Sequence, residues 1–256
     1  MSEEMAPAIP AATLVMMRPR DKAPPELLMI ERAGTMAFAA GALVFPGGRI
    51  DPGDEALAAN EAVVGASVPD DAAARIAAIR ESIEEVGIAI GIVPPPDHAA
   101  TAAIREALAE GGDLGALLAA GGWTIDLDAL VPFARWRPNF KETRLFDTRF
   151  YLAVAPADAE PDADGGESVH ALWIGAGEAL DGAAEGRFRV IFPTRRNLER
   201  LALFADFGEA RAHAAQFAIE PVTPWVEDRD GEKFLCIRAD LGYPVTASPL
   251  ANELRG

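Results

Sequence analysis

Residues 70–87 constrain the fold of this chain more than any other stretch. Ile76, Ile79, Ile83 and Val86 recur at spacings of three and four, the period of a helix with one buried stripe. Asp70 or Asp71, just after Pro69, can cap that helix, and Gly87 can close it. Glu81, Glu84 and Glu85 stand at i, i+3 and i+4, so their carboxylates share another face. Three like charges within one turn destabilise an isolated helix. Two readings relieve the repulsion. In one, the face is solvated and Arg80 pairs with Glu84 at i+4. In the other, the carboxylates hold a hard divalent cation, because Mg²⁺ and Mn²⁺ prefer carboxylate oxygen.

The rest of the chain interleaves strands and helices. Short apolar runs bounded by turn residues predict strands at 12–17, 26–31, 42–45, 88–93, 131–136, 145–155, 169–174 and 234–237. The first dozen residues read as a loose tail, 18–25 as a polar turn punctuated by proline, and 157–166 as an acidic loop. Helices are expected as two short pieces within 97–120, broken at Gly111-Gly112, and at 177–184 and 209–217. Another is expected to start at Pro193, placed at N1, and to continue through 197–204. This alternation predicts one α/β domain over 1–256. It carries an insertion at about 55–69, a helical insertion at about 97–130 and a helical C-terminal extension at about 193–256. The first insertion is expected to be dispensable for folding.

Composition excludes several function classes. Lys and Arg number 23 against 40 Asp and Glu, a net charge of −17. A protein that reads phosphate backbones is usually basic, so nucleic acid is not an expected partner. No apolar run approaches the ~18–20 residues of a membrane helix. The acidic start Met1-Ser2-Glu3-Glu4 lacks the basic region of a secretion signal, and the terminal Leu254-Arg255-Gly256 is no peroxisomal address. A cytoplasmic protein is expected, with no membrane partner. Cys236 is the only cysteine, and His98, His170 and His213 show no ligand spacing, so a His/Cys zinc site is not expected. Nucleophile elbow, phosphate loop and Gly-x-Gly-x-x-Gly are all absent from the sequence. That disfavours serine hydrolases, P-loop NTPases and Rossmann dehydrogenases.

Upstream of the glutamates lies Phe45-Pro46-Gly47-Gly48-Arg49-Ile50-Asp51-Pro52-Gly53-Asp54, and the helix carries Arg80-Glu81-Ser82-Ile83-Glu84-Glu85-Val86-Gly87-Ile88. Together they resemble the signature of the Nudix hydrolases: Gly, five residues, Glu, seven residues, then Arg-Glu-apolar-x-Glu-Glu-x-Gly-apolar. Gly48 is the first glycine. Asp54 stands where the pattern has Glu, Ser82 where it has an apolar residue, and 25 residues (55–79) where it has seven. Such an 18-residue insertion is thermodynamically cheap, because closure cost grows only logarithmically with length. An interrupted box resembles the branch that includes the peroxisomal coenzyme A diphosphatases. The segments 144–152, 167–180 and 192–198 resemble that branch more weakly, as do Arg32-Ala33 and Gly41 ahead of the glycine loop. Ala37 stands where coenzyme A-cleaving relatives have a second Arg, and Ile30 where they have Thr.

The resemblance implies a Nudix-type α/β/α sandwich with a mixed sheet, an insertion within the box and extra helices. It implies a metal-dependent hydrolase acting on a nucleoside diphosphate linked to another group, with coenzyme A or acyl-coenzyme A as the leading substrate. Glu81, Glu84 and Glu85, with the Gly48 carbonyl, would hold Mg²⁺ or Mn²⁺. Glu81, Glu85 or the loop residue Glu167 would serve catalysis, one glutamate taking the water proton. Arg80, Gly47 and Gly87 would support the site. Two basic clusters offer phosphate contacts, Arg135, Arg137, Lys141, Arg144 and Arg149, and Arg187, Arg189, Arg195, Arg196 and Arg200. Arg32, Arg144 and Arg195 are the expected substrate ligands. Trp136 and Phe146 suit either core packing or adenine stacking. Other diphosphates (NADH, ADP-ribose, a nucleotide sugar) and a non-catalytic nucleotide-binding module are the alternatives. Oligomeric state is not legible.

Overall fold

A computed structural model describes residues 8–33, 41–138, 145–156, 158–163 and 168–253. The chain opens with two long antiparallel strands, β1 (Ile9–Arg20) and β2 (Ala23–Arg32), joined by a two-residue turn in which Lys22 adopts φ 57°. Short β3 (Leu43–Val44) and β4 (Gly47–Arg49) follow. Then come three helices, α1 (Pro52–Ala58), α2 (Glu61–Val64) and the glutamate helix α3 (Ala72–Val86). Next are β5 (Ile92–Val93), α4 (His98–Ala109), α5 (Leu114–Gly121) and β6 (Thr124–Ile125). The sheet is completed by β7 (Val131–Trp136), β8 (Phe146–Val154) and β9 (Ser168–Gly175). Helices α6 (Ala176–Ala184), α7 (Phe192–Leu201) and α8 (Phe207–Ala214) follow, then β10 (Pro221–Val222). The chain ends in a separate small sheet, β11 (Trp225–Arg229), β12 (Glu232–Cys236) and β13 (Ala247–Pro249), and α9 (Leu250–Glu253).

The main sheet is mixed and runs β10-β7-β8-β1-β2-β3, with β4 paired to β1 and β9 to β2. β1 lies parallel to β8 from Ile9↔Phe146 to Met17↔Val154. That pairing is why β1 begins at Ile9: residues expected in a loose tail are recruited by a partner 137 positions away. The polar 18–25 stretch is likewise mostly strand, because Arg18 pairs with Glu26 in the hairpin. Both faces of the sheet are covered. Leu14, Met16, Leu28 and Ile30 face α3 and its neighbours, whereas Val15, Met17, Leu27 and Met29 face the α6–α8 layer. A strand buried on both sides reads as a continuous apolar run, as 14–17 and 27–30 do. The result is the expected α/β/α sandwich with a mixed sheet.

Helix α3 buries Ile76, Ile79, Ile83 and Val86 completely. Each such side chain contributes ~1.5–3 kcal/mol relative to exposure. Gly87 ends the helix at φ 66°, a left-handed cap, with its N–H donated to Ile83 O and that of Ile88 to Ser82 O. Ser82 is fully buried, and its Oγ lies 2.8 Å from the carbonyls of both Ile79 and Ile88. Asp71 occupies the N-cap position, but its carboxylate accepts from Arg75 Nε (2.8 Å) and the Tyr151 hydroxyl (3.0 Å) instead of the helix backbone. The insertion between glycine loop and α3 is not a detached loop. Leu57, Val63 and Val64 enter the same core as α3, and α1 and α2 pack on α5. The expectation that residues 55–69 are dispensable for folding is therefore replaced by one in which they carry core side chains.

Candidate active site

Strand β4 places the glycine loop directly beside α3. Gly47 N–H donates to Glu85 Oε2 at 2.8 Å. A Cβ on Gly47 would overlap the backbone at Ala12 O, and one on Gly48 could be placed only by displacing the Glu81 carboxylate. The glycines therefore let the β1–β4 backbone and the glutamates approach to contact.

Arg80 sits among the acids. Its Nε and Nη2 meet the two oxygens of Asp54 at 3.0 Å each, and its Nη2 also reaches Arg49 O at 2.9 Å. Its Nη1 donates to Glu81 Oε1 (2.9 Å) and Glu84 Oε2 (2.8 Å). Asp54 is 2 % exposed and also accepts from Asp51 N–H. The shortened carboxylate arm thus anchors Arg80 and the start of α1. Burial alone would lower the Arg80 pKa, but the bond to Asp54 and the charges of Glu81, Asp54 and Glu84 hold it above its ordinary value. Burial pushes Glu81 up to about 7 against the pull of Arg80, and raises Glu84 for the same reason.

These residues line a cleft of about 1350 Å³. Gly47, Gly48, Arg80, Glu81, Glu84, Glu85 and Gly87 form one wall, joined by Arg32 from the end of β2 and Arg105 from α4. Val44, Phe45, Phe146, Phe150, Ile191 and Pro193 supply an apolar wall. Arg32 Nε is buried without a hydrogen-bond partner.

Other sequence expectations fall elsewhere. Arg195 does not line the cleft: its Nε approaches Glu253 at 3.7 Å. Arg196 and Arg200 are buried, stacked on Phe192 and Phe133, because α7 turns both towards the core. Arg135 is held bidentately by Asp147 at 2.7 and 2.6 Å, and Arg187 pairs with Glu185. Four of the five arginines of the second cluster, Arg187, Arg195, Arg196 and Arg200, thus have acidic or aromatic neighbours within the protein. Trp136 is a buried residue whose indole N–H donates to the Tyr243 hydroxyl at 2.9 Å, and it also lines the cleft. Ala37, Lys141, Arg144 and Glu167 lie outside the described residues. Arg105 was given no role by its sequence, because it is a lone cation on an Ala-rich helix. A signal was present in α3, whose last turn has no basic residue to meet its carbonyls.

Among the described residues no three acidic, His or Cys side chains already converge on one point. Nor is any helix long and apolar enough to cross a membrane.

No protein-family model matches the chain. Among solved structures, it is similar to a NUDIX hydrolase from Alicyclobacillus acidocaldarius at 32 % identity and TM-score 0.70, over 82 % of this chain and 97 % of that one. More distant likenesses include a MutT NUDIX hydrolase from Burkholderia pseudomallei (16 % identity, TM-score 0.40, 76 % of this chain and 98 % of that one). Another is the NUDIX domain of Shewanella oneidensis NrtR in complex with ADP ribose (13 % identity, TM-score 0.43, 78 % and 89 %).

Proposed function

Since this chain belongs to the Nudix hydrolases, enzymes that cleave diphosphate bonds, we propose that the cleft beside α3 is where it does so. Membership of a hydrolase family sets aside the non-catalytic binding module. Nudix hydrolases generally need divalent metal ions. The donor set suits one: Asp54, Glu81 and Glu84 share a single guanidinium, and Glu85 stands on the same wall, so carboxylates outnumber the cation that serves them. All are hard oxygen donors, fitting Mg²⁺ or Mn²⁺. Glu81, Glu84 and Glu85 would hold the ion, with the Gly48 carbonyl beside them. Bound there, such an ion neutralises diphosphate charge and acidifies a water. Arg80 orients Glu81 and Glu84 through its two Nη1 bonds, and Gly47 N–H fixes Glu85. Either Glu81 or Glu167, the two candidates the sequence offers, would take the proton from the attacking water.

The substrate we propose is coenzyme A or an acyl derivative, cut at its diphosphate into a phosphopantetheine half and 3′,5′-ADP. The observation that carries a phosphate-rich substrate is Arg32, whose Nε is buried and unpartnered in the cleft that the glutamates line. Support for coenzyme A within that class comes from the interrupted box and from the backbone pairing of Arg32 with Gly41 and Ala42 just ahead of the glycine loop. The apolar wall of Phe146, Phe150 and Ile191 suits the less polar arm of such a molecule. With Arg195 turned to Glu253, we assign the 3′-phosphate contact to Arg32, with Arg144 as the alternative. A charge-assisted hydrogen bond of ~1.5–3 kcal/mol corresponds to roughly a ten- to hundredfold preference over dephospho-coenzyme A. The test is kcat/KM for coenzyme A, dephospho-coenzyme A, NADH and ADP-ribose with Mg²⁺ and with Mn²⁺. Coenzyme A is expected to lead, and its advantage to shrink in Arg32→Met. A clear preference for NADH or ADP-ribose would overturn the coenzyme A assignment and leave the hydrolase standing.

A further inference from the structure

Helix α3 ends in an arrangement that accounts for its last carbonyls. The carbonyls of Ser82 and Ile83 accept from the Ile88 and Gly87 N–H groups. The carbonyls that follow are those of Glu84, Glu85 and Val86, at the C-terminus of the helix. Arg105, from the inserted helix α4, donates its Nε to Glu84 O at 2.9 Å and its Nη2 to Glu85 O at 3.3 Å. The same Nη2 donates to Asp162 O at 2.8 Å, and Asp162 N–H donates to Val86 O at 3.1 Å. Nη1 reaches the Asp162 carboxylate at 3.0 Å. All three remaining carbonyls are thus taken up by a clasp that comes from outside the helix.

We infer that Arg105 is a positioning residue for the glutamate helix, so that the inserted helix α4 is part of the catalytic scaffold. The carbonyls it holds belong to Glu84 and Glu85, whose side chains face the cleft. A guanidinium at a helix C-terminus also meets the negative end of the helix dipole. Its side chain is 17 % exposed, which shields these bonds from water, whereas the Asp162 carboxylate is 82 % exposed and its ion pair adds little. Arg105 lines the cleft, yet four of its five N–H groups point at the carbonyls and at Asp162. It is therefore built as a clasp and not as a phosphate ligand. Without it the last turn of α3 exchanges two fixed bonds, those to Glu84 O and Glu85 O, for water, and Glu84 and Glu85 lose their fixed backbone.

The inference rests on the glutamates being the catalytic centre, and its test keeps the two apart. Arg105→Met and Arg105→Lys are compared with wild type and with Glu85→Gln for kcat, KM, melting temperature and amide hydrogen exchange over 84–88 in metal-free protein. The clasp predicts a tenfold or greater fall in kcat for Arg105→Met, with KM within threefold. It also predicts faster exchange confined to 84–88, and a smaller kcat loss in Arg105→Lys, which keeps the charge but not the fork. A raised KM with kcat retained would make Arg105 a substrate ligand and overturn the inference. So would a lowered melting temperature with wild-type kcat below it. Should Arg105→Met not fold, Arg105→Lys decides: faster exchange at 84–88 with a threefold or greater kcat loss supports the clasp, and wild-type values of either overturn it. A fully active Glu85→Gln would instead overturn the catalytic reading itself.

Discussion

Gly48 shows how little freedom single residues have here. Its backbone is approached so closely by the Glu81 carboxylate that a methyl group would occupy the same space. The Glu81 side chain can turn away, so Gly48→Ala is expected to move the carboxylate instead of unfolding the chain. A tenfold or greater loss of kcat is predicted, with a melting temperature close to wild type, read by steady-state kinetics and a thermal melt. An unchanged kcat would show that the Glu81 position is not critical. The acidic face was legible in the sequence, because i, i+3 and i+4 is a local spacing that a helix converts directly into one face. The partners of that face were legible only where the motif spans them. Asp71 reads as an N-cap, yet its carboxylate is taken by Arg75 and by Tyr151, 80 residues on. Arg196 and Arg200 read as a basic patch, yet α7 is buried on both sides, with Leu198 and Leu201 on one and the two arginines, four apart, on the other.

At the level of elements, α3 matched its sequence most closely, since stripe, closing glycine and start are all local signals. Strand ends matched least. β1 gains Ile9–Ala11 from its pairing with β8, and 88–93 keeps only β5, which pairs with β6 and not with the main sheet. The 25-residue spacer in the box illustrates a further limit: length alone gives no clue to whether an insertion packs. Here α1 and α2 send Leu57, Val63 and Val64 into the core beside α3. Leu57 is 4 % exposed, in the core that α1 shares with α3 and α5. Leu57→Ala is therefore expected to cost ~2–5 kcal/mol in a urea melt, the range for a buried leucine in a core that cannot collapse around the gap. A cost below ~0.5 kcal/mol, the usual scale of surface changes, would return the insertion to the status of a loop.

For the molecule as a whole, both faces of the sheet are committed to burial, and among the described residues the cleft at the β1–β4 and α3 junction gathers the acidic groups. The C-terminal segment secures the opposite layer. Tyr243 accepts from Trp136 and donates to Asn197, a buried chain linking β7, α7 and the region before β13. None of this was legible, because it joins residues 46 and 107 positions apart. The excess of acidic residues, by contrast, has a local focus at the cleft, where several carboxylates depend on Arg80. That focus makes the central claim testable in one measurement: turnover of a diphosphate substrate by wild type and by Glu85→Gln, with and without a chelator. Gln keeps an oxygen for the Gly47 N–H bond, so the variant is expected to melt like wild type. The account predicts that chelation silences the wild type, that Mg²⁺ or Mn²⁺ restores it, and that Glu85→Gln loses at least about a hundredfold in kcat, about 2.7 kcal/mol of barrier. Wild-type turnover by a folded Glu85→Gln, or turnover indifferent to chelation, would contradict it.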